Sequence, residues 1–530
     1  MLPGKTHYYI FISGTALLVV SLLFSQFMLS ISILLLSANW VLECFPFANN
    51  KHKALEKWKL IKGRKAIWLL VSIYFIHVFW LFNTTDFEYA FNDLKVKLPL
   101  LALPIIYGGS AKLNKPAFRN LLLLFIGAVF ASSLITTYIL IGFSKFDYID
   151  FRYASLFISH IRFSLLVVLS IYSLFYLAFF SDIQSARRLK ICYVILIAWF
   201  ICFLILLQSF TGIFIFLLLL PFSFIWFSYH NGSKKAIKTS YSISVLLVVM
   251  IVLYGVSSIC RYNRKHIDYA IHLPEKTINN NTYMHQPDLE EYENGYKIWV
   301  LISEVELQRE WNKRSSYDYL DRDRKGQHIR TTIIRYMTSK GLSKDSMGIY
   351  KLTEKDIEMI EKGYTNHLYK NRFALYPRIY ELMWEVEKYR QTGNPSGQSL
   401  GQRLEYLKTG MHIIKRFFWF GTGTGDIAQE FYNQYRIDKS LLNFEWQHRT
   451  HNQLLTFLIT FGIFGFLWIL YAIFAPPFFE KRYSHFLFVT FFLIALLSML
   501  NEDTLESYIG VTFFSFFYSF FLFSFPHDKT

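Results

Sequence analysis

The sequence predicts an all-α membrane protein that crosses the bilayer many times, and three observations carry that expectation. Hydrophobic residues make up 53% of the 530 and aromatic residues 19%, above the roughly 45–50% apolar share of a soluble domain. The excess is gathered into runs close to the ~20 residues that span a hydrocarbon core. Lysine and arginine are distributed very unevenly between the connections that separate those runs. The 54 Phe and 35 Tyr suit lipid-facing surfaces and interfacial belts.

In chain order, apolar runs fall at 8–25, 27–47, 66–82, 98–110, 120–143, 158–180, 190–209, 211–228, 240–258, 452–473, 485–500 and 508–525, about twelve spans. The first resembles a secretory signal only superficially. It lacks a small-residue cleavage site and a second span follows at once, so it is read as retained. The fourth is short and holds Pro99 and Pro104, which predicts a broken or re-entrant helix. Cys44, Cys192, Cys202 and Cys260 form no CxxC pair, and neither a disulfide framework nor a zinc site follows from them.

Sidedness follows from the basic residues. With a cytoplasmic N-terminus, the inside connections hold Lys5, the group from Lys51 to Lys65, Lys112, Lys115, Arg119, Arg187, Arg188, Lys190, Lys234, Lys235, Lys238, Lys481, Arg482 and Lys529. The short outside connections hold Lys95, Lys97, Lys145 and Arg152. That is 20 against 4, so both termini are expected in the cytoplasm. Three regions result: spans 1–9 over 1–258, an external (periplasmic) segment over 259–450, and spans 10–12 over 451–530. The external segment carries 30 Lys and Arg against 25 Asp and Glu. Much of the formal charge of +17 is therefore positive-inside bias, and a nucleic-acid partner loses its main support.

The external segment is too long for a connector and reads as mostly helical. In "LTEKDIEMIEKG", Thr353 is placed to cap a helix and Gly363 to stop it. "FALYPRIYELMWEVEKYRQTGNPSG" (373–397) continues as an aromatic amphipathic helix closed by breakers. A further helix is expected from Ser399 as cap, with Leu400, Leu404, Leu407, Met411 and Ile414 as its apolar stripe, ending in "GTGTGD" (421–426). No internal repeat is found.

Several polar groups stand out against this background, each with a plainer alternative. Arg403 lies close to the apolar stripe, where it suits either a phosphate partner or snorkelling into solvent. His160 and Arg162 sit at the outer mouth of a span, as lining of a polar cavity or as interfacial anchors. Glu502, Asp503 and Glu506 lie between the last two spans, and either orient cations, bind an acceptor sugar, or form a polar hairpin. "RTHNQ" (449–453) places Arg449, His451 and Asn452 at the head of a span. Asp321 and Asp323 imitate a D-x-D metal site, but three flanking cations and the absence of a nucleotide-binding pattern argue against it. His448 and His451 lack a third metal ligand, and "GTGTGD" lacks a Walker Lys-Ser/Thr, so neither metal nor ATP is expected.

Fragments of this set resemble one family. "RLEYLKTGMHIIKRFFWFGTGTGD" has Arg403 and Leu407 as R-x3-L before a Gly-rich turn, and His451 and Gly462 form H-x10-G at the head of the next span. This resembles the O-antigen ligase and polymerase superfamily of cell-envelope glycosyltransferases. "ENGYKIWVLISEVELQREWNKRS", "RYMTSKGLSKDSMG" and "NEDTLESYIGVTFF" are similar to the branch found in Bacteroidetes. One departure is "LQSFTGIF", which carries no arginine near Phe210 or Thr211.

The resemblance implies a GT-C-like fold in the bacterial inner membrane and a metal-independent, cofactor-free, inverting transfer at its periplasmic face. The donor would be a glycan on undecaprenyl diphosphate, and the acceptor a lipid A–core hydroxyl in ligases or a second lipid-linked glycan in polymerases. Arg403, with Arg162 second, would stabilise the departing diphosphate. His451, its pKa near neutral, would be the general base, helped in orientation by Asn452 or a carboxylate. His160, Asn452, Arg449 and Glu502 would contribute to substrate binding. A protein acceptor is a further alternative, and a polysaccharide transporter or flippase is the alternative from another class. The clustering of ionisable groups at the outer surface, without repeats, favours the enzyme.

Overall fold

The computed structural model describes residues 4–44, 51–142, 155, 157–180, 187–230, 232, 234–264, 273–370, 375–397 and 399–525. The expected positions Lys145, Arg152 and Lys529 lie outside the described residues. In chain order the helices are α1 (Gly4–Phe24), α2 (Gln26–Cys44), α3 (Lys51–Gly63), α4 (Lys65–Phe79), α5 (Phe87–Gly109), α6 (Lys115–Gly142), α7 (His160–Phe179), α8 (Arg187–Leu207), α9 (Phe210–His230) and α10 (Lys234–Tyr262). A hairpin of β1 (Tyr292–Glu293) and β2 (Tyr296–Lys297) follows. After it come α11 (Glu304–Arg314), α12 (Ile329–Ser339), α13 (Ser346–Tyr350), α14 (Glu354–Glu361), α15 (Leu375–Thr392), α16 (Ser399–Arg416), α17 (Ile427–Ile437), α18 (Gln453–Phe474), α19 (Pro476–Phe479), α20 (Phe486–Met499) and α21 (Tyr508–Phe523).

The chain is an all-α polytopic membrane protein. Among the described residues nine helices are long and apolar enough to cross a bilayer: α1, α2, α4, α6, α7, α8, α9, α10 and α18. The other three expected runs are also helical. Helices α20 and α21 have 14 and 16 residues, and α5 carries charges in its first half. Helix α5 corrects the expectation of a broken segment. It runs without interruption through Pro99 and Pro104 for 23 residues, started by Asp86, whose carboxylate accepts from the Tyr89 amide at 2.9 Å. Burial between neighbours overrides the local preference against proline: Pro99 and Pro104 are both buried, and Ser515 Oγ donates to the Pro99 carbonyl at 2.7 Å.

Two compact units make up the chain. One comprises residues 1–139, 151–244 and 392–530. Its centre is α21, buried all round, as expected of a helix that is apolar on every face. Aromatic rings from α5, α6, α20 and α21 pack around it, among them Tyr107, Phe125, Phe491 and Phe517. The outer face of α8 exposes Ile191, Val194 and Ile195, as a lipid-facing surface does.

The other unit comprises residues 140–150 and 245–391. Its core gathers Trp311, Ile333, Tyr336, Met337, Ile349 and Ile360 from α11 to α14. Thr353 and Asp356 form a capping box on α14, and Gly363, at φ +77°, follows its end, both as read from the sequence. Asp323 is a turn residue: its carboxylate accepts from the Lys325 and Gln327 amides and the Thr332 hydroxyl at 2.9, 2.9 and 2.6 Å.

Candidate functional site

One end of the helix bundle collects polar side chains from four stretches far apart in the chain. Arg403, in the second turn of α16, directs its guanidinium at the connection after α20. It donates to the side chain of Asn501, to the Asn501 carbonyl at 3.3 Å and to the Glu502 carboxylate at 3.2 Å. Asn501 in turn donates from Nδ2 to Thr211 Oγ1 at 2.7 Å. The first turn of α9, which carries no arginine, thus still joins the cluster. Arg162, on the first turn of α7, shares with Glu502 a narrow cavity of about 20 Å³ whose other walls include Leu165, Leu166 and Phe513. Burial pushes the Glu502 carboxyl above the usual carboxylate range, while Arg403 and then Arg162 oppose the rise.

His451 lies just before α18 with φ +48°, in the left-handed region. Its imidazole packs 5.6 Å from the ring of Tyr406 and 6.1 Å from that of His448. Burial, followed by the positive charge of Arg403 and the neighbouring His448 and Arg449, lowers its pKa to about 4. The expected near-neutral value is therefore corrected downward, because the ring is half-buried among cations. At neutral pH it stands unprotonated, able to accept a proton.

Asn452 does not orient the His451 ring. Its Oδ1 caps α18 by accepting from the Leu455 amide at 3.1 Å, and its Nδ2 donates to the Leu500 carbonyl at 3.0 Å. It fastens the head of α18 to the end of α20. His160 is the half-buried first residue of α7.

Behind this layer lies a buried ionic network. Glu506, 8% exposed, accepts from Lys97 at 3.1 Å, Arg449 at 3.1 Å and Gln453 at 3.0 Å. Lys97, 1% exposed, is also paired with Asp93 one helical turn earlier. Asp503 accepts from Thr456 Oγ1 at 2.8 Å. The two nearby cations outweigh burial and hold the Glu506 carboxyl well below its usual range, whereas burial raises Asp503 despite Arg449. The acidic connection is thus the counter-charge of the site, the first of the roles weighed for it.

The "GTGTGD" turn is held from three sides. Helix α18 breaks at Gly462, where φ is +61° and ψ −171°, a combination reserved in practice for glycine. The break frees two carbonyls, which accept from the turn: the Thr422 amide reaches Ile459 O at 2.8 Å and the Gly423 amide reaches Thr460 O at 3.0 Å. The Ile463 amide donates back to Phe418 O at 2.8 Å. Asp426 accepts from the Thr85 and Asp86 amides at 2.8 Å each. With those amides engaged in packing, the turn is a structural clasp and not a phosphate cradle. Gly465 lets neighbours approach closely, since a Cβ there would meet Phe461 at 2.4 Å and Trp80 and Ile76, near the end of α4, at 3.2 and 3.3 Å.

Residues 355–470 match the O-antigen ligase family model. That match is consistent with an O-antigen ligase-like superfamily member. No curated protein matches the chain. The ligase-family segment contains Arg403, the "GTGTGD" turn, His451 and Gly462. Arg162, Lys97, Glu502 and Glu506 come from outside it, so the fold completes around that segment what the segment alone does not carry.

The α16 stripe was misread from spacing. Ile414 is buried as expected, but Leu404 and Met411 are exposed, and Tyr406, Thr409, Gly410 and Ile413 make up most of the rest of the buried face. Ser399 is the first helical residue and not the cap. Small and polar residues share the packed face because Gly410 lets Thr450 approach closely and Tyr406 donates to the Trp446 carbonyl at 2.7 Å. Sequence reasoning also missed Asp93, Lys97, Asn501 and Tyr406.

Proposed function

We propose that the chain is an O-antigen ligase-type glycosyltransferase that moves a glycan from undecaprenyl diphosphate to a lipid A–core hydroxyl at the outer face of the inner membrane. The observation that carries the reading is the meeting of Arg403, Arg162, Glu502 and His451 at one end of the span bundle, in and around the ligase-family segment. The basic-residue count assigns that end to the periplasmic side, with both termini cytoplasmic. In the reaction, the bond from the acceptor oxygen to the anomeric carbon forms as the bond to the diphosphate oxygen breaks. The hydroxyl proton passes to the neutral His451 imidazole, and the pair of electrons leaves with the diphosphate. Arg403 and Arg162 face the charge that accumulates on phosphate. Glu502 and Asn501 fix the Arg403 fork so that little reorganisation accompanies the step. The arriving diphosphate is anionic and raises the His451 pKa towards that of a more effective base.

Purified protein with defined lipid-linked donor and lipid A–core acceptor tests the proposal. Transfer should fall steeply in His451→Ala and in Arg403→Ala, and undiminished transfer in both variants would falsify the assignment of the site. Polymerase activity is the competing outcome. In cells lacking the protein, core without O-chains alongside accumulating lipid-linked polymer supports the ligase, whereas core bearing one repeat unit identifies a polymerase.

A further inference from the structure

The unit formed by residues 245–391 holds an open cleft of about 710 Å³ that plays no part in the chemistry above. Two stretches singled out in the sequence converge on it. The "ENGYK" hairpin contributes Asn294, at φ +50°, and Tyr296; the "RYMTSKG" stretch contributes Ser339 and Lys340. His367, Arg261 and Tyr376 complete the wall.

The lining is cationic and its donors are arranged. Arg261 stacks on the Tyr376 ring, 4.1 Å from its centroid. Lys340 gives one bond to Asp356 at 2.7 Å and keeps two further N–H groups. The Nδ1 of His367 accepts from Asn294 Nδ2 at 3.4 Å and lies 3.1 Å from Ser339 Oγ. Burial, then the charge of Lys340, holds the His367 pKa below its usual range, with Arg261 acting in the same direction. The wall includes no aspartate or glutamate among its described residues. The charge of Arg261, the remaining N–H groups of the Asp356-paired Lys340 and the neutral donors beside them match a group with several anionic oxygens better than a single carboxylate. The space inside it that a ligand could fill is about 310 Å³, at the lower end of the range for small-ligand sites. Arg261 is the penultimate residue of α10, whose apolar stretch Tyr241–Tyr262 is long enough to cross a membrane. One wall of the cleft therefore lies beside the end of that apolar stretch.

We propose that this cleft binds a phosphate ester of headgroup size, carried by a sugar or by a membrane lipid.

Hydrogen exchange on the full-length protein tests this, read at residues 292–297 and 339–341. One arm adds glucose 6-phosphate, with glucose as control, in phosphate-free detergent. The other compares galactolipid nanodiscs with and without phosphatidic acid. Protection in the first arm identifies a phosphosugar, and protection in the second alone identifies a lipid phosphate. Arg261→Gln should weaken whichever binding is seen by about tenfold or more, the loss expected for one charge-assisted contact. Arg261 is exposed, and its replacement leaves the Lys340–Asp356 bond in place, so folding is preserved. Arg403→Ala, in the other unit, should leave this binding unchanged, which separates it from failure of the transferase reading. Absence of protection in both arms overturns the proposal, as does protection that Arg261→Gln leaves unaltered.

Discussion

Replacing Glu506 by glutamine removes one negative charge from the buried network while keeping its volume. The wild-type carboxylate takes three donors, from Lys97, Arg449 and Gln453, at 3.0–3.1 Å, and is 8% exposed. Breaking a buried ion pair by neutralising one partner costs about 3–5 kcal/mol. Here the loss is smaller. Lys97 keeps Asp93, Arg449 is 24% exposed and partly hydrated, and a glutamine oxygen still accepts one bond. A loss of about 2–3 kcal/mol remains. The assay is a double-mutant cycle on unfolding in detergent, with Glu506→Gln, Lys97→Met and the pair. Removing both leaves Asp93 and Arg449, which are again opposite in sign, so the double variant should be less damaged than the sum by about 1–2 kcal/mol. Additivity within about 0.5 kcal/mol would refute the reasoning, since independent sites add to that precision.

The remaining expectations concern the site and the clasp. Because the His451 pKa stands at about 4 in the folded protein and near 6.5 in the unfolded one, the unfolded chain binds more protons between those values. This histidine's contribution to stability is therefore lost as pH falls from 6.5 to 4. Correspondingly, the acid limb of kcat/KM should have its midpoint well below pH 6.5, and a midpoint at 6.5 or above would contradict His451 as the base. Arg403→Gln should move that limb upward by removing the charge that holds the imidazole down. Arg403→Lys keeps the charge but cannot reach Asn501 and Glu502 together, and kcat/KM should fall by about 10²–10³-fold; steady-state kinetics with wild-type-like transfer would show that the fork is not used. Gly462→Ala places a Cβ on the Trp419 carbonyl in a conformation that only glycine adopts readily. It should cost at least about 3 kcal/mol, seen as loss of folded protein in size-exclusion chromatography.

The spans were legible because hydropathy is a local property, read off a window of sequence. Arg403 and His451 were legible because each lies in a short pattern within the ligase-family segment. The pairing of Lys97 with Glu506 was not: 409 positions separate them, and their meeting depends on how α5 and the α20–α21 connection pack. The same holds for Asn501, whose asparagine says nothing of Thr211 until α9 is placed beside α20. The continuity of α5 was misjudged because the cost of a proline is local, whereas the burial that overcomes it comes from α4 and α21. On α16, period alone selected the leucines, while much of the packed face, Thr409, Gly410, Gln402 and Glu405 among it, is too small or too polar to score as apolar. The His451 pKa was misplaced because the reference value holds for a hydrated ring without cationic neighbours.

The break at Gly462 divides α18 into two mechanically separate rods. The upper one, from Gln453 to Phe461, takes its direction from the Gly-rich turn and the cap at Asn452; the lower one follows the hydrocarbon around it. A span adapts to a thicker or thinner bilayer by tilting, and a continuous helix would carry that tilt to its head. With its ladder interrupted at Gly462, α18 has a joint at which a tilt below the break need not be carried to its head. The arrangement of side chains around His451 would then be insulated from changes in bilayer thickness.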